Sequence, residues 1–65
     1  MKFRIGDRVV ATNDDFLKNG VGTVTGVHVE QGAYGVLFDK EEHRGPLGSG
    51  SLFMYENEIE KEELQ

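Results

Sequence analysis

Two runs of β-branched residues carry the strongest structural signal in this chain. Residues 8–11 and 20–29 are rich in valine and threonine, and glycines interrupt the second run. Branched side chains pack well on a pleated, half-buried surface, while glycines permit the turns and bulges that curl a small sheet. We predict a first strand over residues 8–11, with Val9 and Ala11 facing the core.

The second run changes the parity of its apolar positions. Val24 falls on an even number, whereas Val27 and Val29 fall on odd numbers. A bulge adds one residue to a strand and moves the alternation to the other face. We therefore predict a strand over residues 22–29, with a bulge at Gly26 that restores one buried face and bends the sheet.

Three further strands are predicted in the rest of the chain. Tyr34, Val36 and Phe38 alternate along a third strand, and residues 52–55 form a fourth apolar run. A short turn then leads into a fifth strand anchored by Ile59. The pattern as a whole predicts an all-β fold.

The two longest connections have different compositions. Residues 12–20 begin with capping and turn residues and end in Asn-Gly, which predicts an ordered loop that places Phe16 or Leu17 beneath the sheet. Residues 39–50 are polar and contain glycines and the only proline. This second segment predicts a long, mobile connection that is neither strand nor helix.

Length and composition limit the size of the core and of any site. A chain of 65 residues has room for one domain and little surplus for an enclosed active site. We predict a domain over residues 1–60 and an acidic, disordered tail over residues 61–65. Cysteine is absent, which fits a reducing compartment, and neither a signal peptide nor a membrane span is indicated. A cytoplasmic protein is expected.

Four stretches carry a family resemblance: Gly-Asp-Arg-Val-Val at 6–10, Gly-Val-Gly-Thr-Val at 20–24, Tyr-Gly-Val-Leu-Phe-Asp at 34–39, and residues 50–60. With five short strands, a long first loop and a bulged second strand, the chain resembles the SH3-like modules, a group that includes KOW, Tudor and mind-bomb-type domains. It looks closest to small uncharacterised proteins encoded by phages and prophages of Gram-positive bacteria. The resemblance implies a small five-stranded antiparallel SH3-like barrel with a binding or accessory role.

Three patterns suggest chemistry only superficially. The glycines of residues 20–26 precede strand formers and not the helix that a phosphate-binding loop needs. The acids and histidine of residues 39–43 lack the fixed geometry of a metal site, and the serines of residues 48–51 lack a held general base. We therefore expect no catalytic residue, no metal ligand, no cofactor and no enzymatic activity.

Aromatic side chains are the main candidate for function. The six rings exceed what one face of a very small barrel can bury, so some are expected at the surface, unless they complete the core with hydroxyls at its rim. The predicted patch consists of four rings and three acids, Phe16, Tyr34, Phe53 and Tyr55 with Asp14, Asp15 and Glu56. Rings anchor a partner and opposite charges steer its approach, which predicts a protein or peptide partner that carries Lys or Arg.

Two alternatives remain open from the sequence. A KOW-type nucleic-acid-binding module would use Arg4, Arg8 and Lys18 with Tyr34, although the net charge of −5 weakens phosphate binding. A homo-oligomeric structural or accessory protein would assemble, weakly, through an exposed edge strand. A membrane partner is not expected.

Overall fold

The computed structural model describes residues 2–12, 17–45 and 50–62 and contains a single antiparallel sheet in that part of the chain. Its strands are β1 (Arg8–Ala11), β2 (Val21–His28), β3 (Ala33–Phe38), β4 (Leu52–Tyr55) and β5 (Ile59–Lys61). Their order in the sheet is β4-β3-β2-β1-β5. The predicted all-β fold with five antiparallel strands is confirmed.

The sheet is strongly curled, as the connection from β4 to β5 shows. These strands lie at opposite ends of the sheet, and in a flat sheet four spacings would separate them by about 19 Å. The 3₁₀ helix Glu56–Glu58 joins them directly, and three residues of 3₁₀ helix span only about 6 Å. The sheet must therefore bend until the end of β4 at Tyr55 lies close to the start of β5 at Ile59. Among the described residues no ladder joins β4 to β5, so closure into a barrel stays a prediction.

A bulge in β2 contributes to this curl. Val24 lies opposite Val36, but Gly26 lies opposite Gly35, so Thr25 is the extra residue. The predicted bulge is confirmed, and the alternation reverses after it. The prediction that Val29 continues the inward face is wrong, because Val29 begins the 3₁₀ helix Val29–Gln31 and is 68% exposed.

The core collects the inward-facing side chains of all five strands. Val9 and Ala11 are fully buried, as predicted. Leu17, one of the two residues predicted to anchor the first loop, is also buried beneath the sheet. The other, Phe16, lies outside the described residues. The core cluster comprises Phe3, Val9, Ala11, Leu17, Val24, Tyr34, Val36, Phe38, Met54 and Ile59.

Two predictions about the connections and the terminus require correction. The described part of residues 39–50 contains the 3₁₀ helix Glu41–His43, and the N–H of Gly45 donates to the carbonyl of Gly50. The chain therefore has local helical structure where none was predicted. The predicted tail starts too early, because Lys61 pairs with Val9 and the N–H of Glu62 donates to the carbonyl of Arg8.

The Tyr34 side chain lies in the interior of the curled sheet, and its hydroxyl links three segments by hydrogen bonds. The ring is fully buried and meets the Phe3 ring edge to face, with centroids 5.2 Å apart. The backbone N–H groups of Lys2 and Phe3 donate to the Tyr34 hydroxyl at 3.1 and 3.2 Å. The hydroxyl in turn donates to Oε2 of Glu56 at 3.1 Å. One buried oxygen thus ties the N-terminal segment to β3 and to the start of the last 3₁₀ helix.

We expect Tyr34→Phe to lower the free energy of unfolding by about 1–3 kcal/mol, because it leaves the buried N–H of Phe3 without its acceptor. Urea titration of the wild type and the variant measures this change. Tyr55→Phe is the matched control, since Tyr55 is half-exposed and its variant should stay within about 0.5 kcal/mol of the wild type. Equal stabilities for the two variants would contradict the role given to the Tyr34 hydroxyl.

Candidate functional site

Two exposed rings lie side by side on the outer face of β4. Phe53 and Tyr55 are 47% and 50% exposed, and their ring centroids are 5.3 Å apart at an interplanar angle of 86°. They alternate with the buried Met54, because successive side chains of a strand point to opposite faces of the sheet. Both were predicted to belong to a surface patch, and both are at the surface.

A third ring reaches this pair from β2. The His28 and Phe53 ring centroids are 5.2 Å apart. We call His28, Phe53 and Tyr55 the aromatic patch. Phe53 contacts both of the other rings, so the patch is continuous across the outer face of β2, β3 and β4.

Small residues on β3 make this contact possible. His28 lies opposite Ala33, and Phe53 lies opposite Gly35, so the intervening strand presents no large side chain between the two rings. His28 was not among the residues predicted for the patch. The predicted bulge could have identified His28, because the extra residue Thr25 shifts His28 to the outer face.

An open depression adjoins the aromatic patch at Tyr55. Its volume is about 480 Å³. Its lining consists of Lys2, Gly32, Tyr55, Glu56 and Asn57. The Tyr34 hydroxyl donates to the Glu56 carboxylate from below, so this acid is held in place at the edge of the rings. Glu56 was predicted to border the patch, and the structure places it there.

The structure corrects one predicted ring and leaves three predicted residues undescribed. Tyr34 was predicted to be part of the exposed patch, but its ring is fully buried. A buried ring offers no face to a ligand, so Tyr34 acts on the site only by holding Glu56. Phe16, Asp14 and Asp15 lie outside the described residues.

The three cations predicted for nucleic-acid binding do not form one group. Arg8 begins β1, whereas the turn that contains Lys18 closes on Ala11 at the other end of β1, about 10 Å further along the strand. The N–H of Arg4 donates to the carboxylate of Asp7 in a separate turn.

Arg8 is itself occupied by acids of this chain. Its Nη1 and Nη2 donate to the two carboxylate oxygens of Asp39 at 2.9 and 2.6 Å, and Nη1 also donates to Oγ1 of Thr23. Nε lies 3.4 Å from Oε1 of Glu62. The bidentate hydrogen bonds with Asp39 raise the pKa of Arg8 further above its ordinary value and hold the pKa of Asp39 below its own. Because acids of this chain already bind its guanidinium, Arg8 does not favour the predicted binding of phosphates.

The acidic segment of residues 39–43 does not form a metal-binding cluster. Asp39 pairs with Arg8, and the His43 ring packs edge to face on Phe38, with centroids 6.1 Å apart. Across residues 2–12, 17–45 and 50–62, no group of three or more potential ligands is close enough to hold a metal ion. The contacts of Asp39 and His43 stabilise the connection between β3 and β4.

Comparisons of the chain with protein-family models, curated proteins and solved structures found no match. Within the described part of the chain, no helix has the length and apolar character needed to cross a membrane. The site is therefore interpreted from its own geometry.

The ion pair between Arg8 and Asp39 predicts a pH-dependent contribution to stability. Because the folded-state pKa of Asp39 is lowered, the pair stabilises the fold above the unfolded-state value of about 3.9, and this stability is lost as the pH falls through the folded-state value. We expect the wild type to be more stable than Asp39→Asn at neutral pH, with the difference disappearing in acid.

Urea unfolding of both proteins across the acidic range measures this dependence. Glu41→Gln is the control, because it removes an exposed acid from the adjacent 3₁₀ helix and should give a difference that changes little with pH. A difference between the wild type and Asp39→Asn that persists unchanged in acid would exclude the ion pair as its cause.

Proposed function

We propose that this protein is a non-catalytic interaction module that binds a protein or peptide segment carrying Lys or Arg. The observation that carries the proposal is the aromatic patch, in which half-exposed rings contact one another on the outer face of a rigid sheet. Clustered exposed rings are the side chains that most often anchor a partner. A small scaffold with its core already filled is suited to contact at its surface.

The charge of the site supports a basic partner. Glu56 and Glu58 lie in the 3₁₀ helix that follows the aromatic patch, and Glu56 lines the depression beside Tyr55. Lys2 also lines this depression and balances Glu56 there, so the excess negative charge comes from Glu58 in the same 3₁₀ helix. The whole chain carries a net charge of −5, which favours the approach of a positively charged segment.

We also propose the structural class, the origin and the compartment of the protein. Five short strands, a bulged second strand and a short turn before the last strand support membership of the SH3-like class, and with it the small antiparallel barrel and the phage or prophage origin that the resemblance implies. The absence of cysteine supports action in the cytoplasm. Nucleic-acid binding is not favoured, because Arg8 is held by acids of this chain.

Removal of either ring of β4 should weaken binding of a basic peptide. The probe is a short, acetylated and amidated peptide of alternating lysine and valine, titrated into labelled protein and followed by amide chemical shifts. We expect Phe53→Ala and Tyr55→Ala each to raise the Kd at least about fivefold, since anchoring rings contribute more than about 1 kcal/mol.

Ile5→Ala is the matched control, because Ile5 and Val29, each 68% exposed, are the most exposed large apolar residues outside the patch among the described residues. Its variant should bind like the wild type. If all three variants bind alike, or if the peptide shifts only residues remote from β4, the site is not the aromatic patch.

The charge of Glu56 should contribute separately from the rings. Glu56→Gln keeps an acceptor for the Tyr34 hydroxyl but removes the negative charge, so we expect the Kd for the lysine peptide to rise about two- to fivefold. Glu60→Gln removes the same charge from an exposed position on β5 and should have a smaller effect. Equal effects of the two substitutions would show that only the net charge matters.

A further inference from the structure

The hydrogen-bonding pattern of β4 determines which backbone groups face its free edge. Ala33 lies opposite Tyr55 and Gly35 lies opposite Phe53. One residue beyond this register, the N–H of Glu56 donates to the carbonyl of Gly32. In an antiparallel ladder, hydrogen-bonded and non-hydrogen-bonded pairs alternate. The pairs of Tyr55 and of Phe53 with β3 are therefore the non-hydrogen-bonded ones.

The N–H and C=O groups of Phe53 and Tyr55 consequently point away from β3. An independent contact agrees with this orientation, because the N–H of Tyr55 donates to Oε1 of Glu58 at 2.8 Å and not to β3. Within the described residues, no hydrogen bond engages the N–H or C=O of Phe53. In the part of the chain that the structure describes, the edge of β4 thus has an open donor and acceptor at Phe53, whereas Glu58 accepts the N–H of Tyr55.

The same residues supply the aromatic patch. Phe53 and Tyr55 present their rings on the outer face and their backbone groups at the free edge, so one ligand strand can contact both. A strand added beside β4 would form backbone hydrogen bonds with Phe53 and would place alternate side chains next to the two rings. Its end beside Tyr55 would approach the carboxylates of Glu56 and Glu58.

We propose that the partner segment binds as an extended strand added to the free edge of β4, with its lysine or arginine side chains on the face of the rings. This inference rests on the proposed function and specifies its mode of binding. Backbone pairing at Phe53 supplies a sequence-independent contribution, and the rings and acids select for cationic side chains. Because few backbone groups are open, the affinity of the free peptide is low.

Charge favours a basic segment over a second copy of this chain as the occupant. Two copies would each bring a net charge of −5 to the contact, and like charges oppose association. A lysine-bearing strand would instead bring positive charge to the end of β4, where Glu56 and Glu58 lie. Pairing between two copies would instead give a mass that rises with concentration in sedimentation.

Two variants of one residue separate the backbone contact from the ring contact. Phe53→Ala removes the ring and keeps the N–H, whereas Phe53→Pro removes both. Because this N–H faces the free edge, proline is compatible with the sheet there. For the alternating lysine and valine peptide, we expect Phe53→Pro to raise the Kd about two- to tenfold beyond Phe53→Ala.

A second measurement uses the wild-type protein and does not depend on the folding of a variant. Methylating the peptide nitrogens of one alternate set of residues should abolish binding, whereas methylating the other set should leave the Kd within about twofold, since only one edge of an added strand donates to β4. Hydrogen exchange of the Phe53 amide should also become slower when the unmethylated peptide is bound.

The outcomes distinguish the two proposals. If the peptide binds at the rings but both methylated sets bind equally, or Phe53→Pro matches Phe53→Ala in a folded protein, strand addition is wrong and the proposed function stands. If the peptide does not bind, or shifts no residue of β4, both are wrong. A concentration-dependent dimer that slows exchange at Phe53 without peptide would assign the edge to a second copy and overturn the proposed occupant.

Discussion

The fold depends on bringing the end of β4 next to the start of β5 while the sheet curls around a buried tyrosine. Only the 3₁₀ helix Glu56–Glu58 connects the two outermost strands, so the sheet has to curl. The curl leaves backbone N–H groups of the N-terminal segment facing the interior, where a missing acceptor would be costly. The Tyr34 hydroxyl accepts from Lys2 and Phe3 and donates to Glu56, and it thereby fixes the chain on both sides of the bend.

This constraint also shapes the surface. Met54 fills the inward position of β4 in the core, so its neighbours Phe53 and Tyr55 face outward. The glycine and alanine of β3 then let His28 approach Phe53 across the strand. The acid that borders these rings is positioned by the same hydroxyl that supports the core. Fold and candidate site are thus linked through one buried oxygen.

Much of the fold was predictable because local patterns encode it. The valines of β1, the parity change around Gly26 and the alternation of Tyr34, Val36 and Phe38 each depend on neighbouring residues in the chain. The 3₁₀ helix Glu41–His43 was missed because its polar composition is also that of a loop. The strand positions of Lys61 and Glu62 were missed because they depend on pairing with a distant segment.

The candidate site was only partly predictable, for a physical reason. Composition shows that some rings must be exposed, and the alternation of Tyr34 with Val36 and Phe38 already indicates that Tyr34 faces the core. The partners that satisfy its buried hydroxyl come from distant segments, which is a long-range property. The parity change at the bulge indicates that His28 faces outward, but its contact with Phe53 depends on the register across β3, which no local pattern shows. The availability of Phe53 at the edge follows from the alternation of hydrogen-bonded pairs, again a property of two strands together.

The most direct test of the central claim is the hydrogen-exchange rate of the Phe3 backbone amide in the free protein. Phe3 lies outside the five strands, where an amide without a hydrogen bond exchanges near the rate of an unfolded peptide. We expect strong protection at Phe3, because its N–H donates to the buried Tyr34 hydroxyl. Exchange at the unfolded rate, in a protein whose β3 amides are protected, would contradict it.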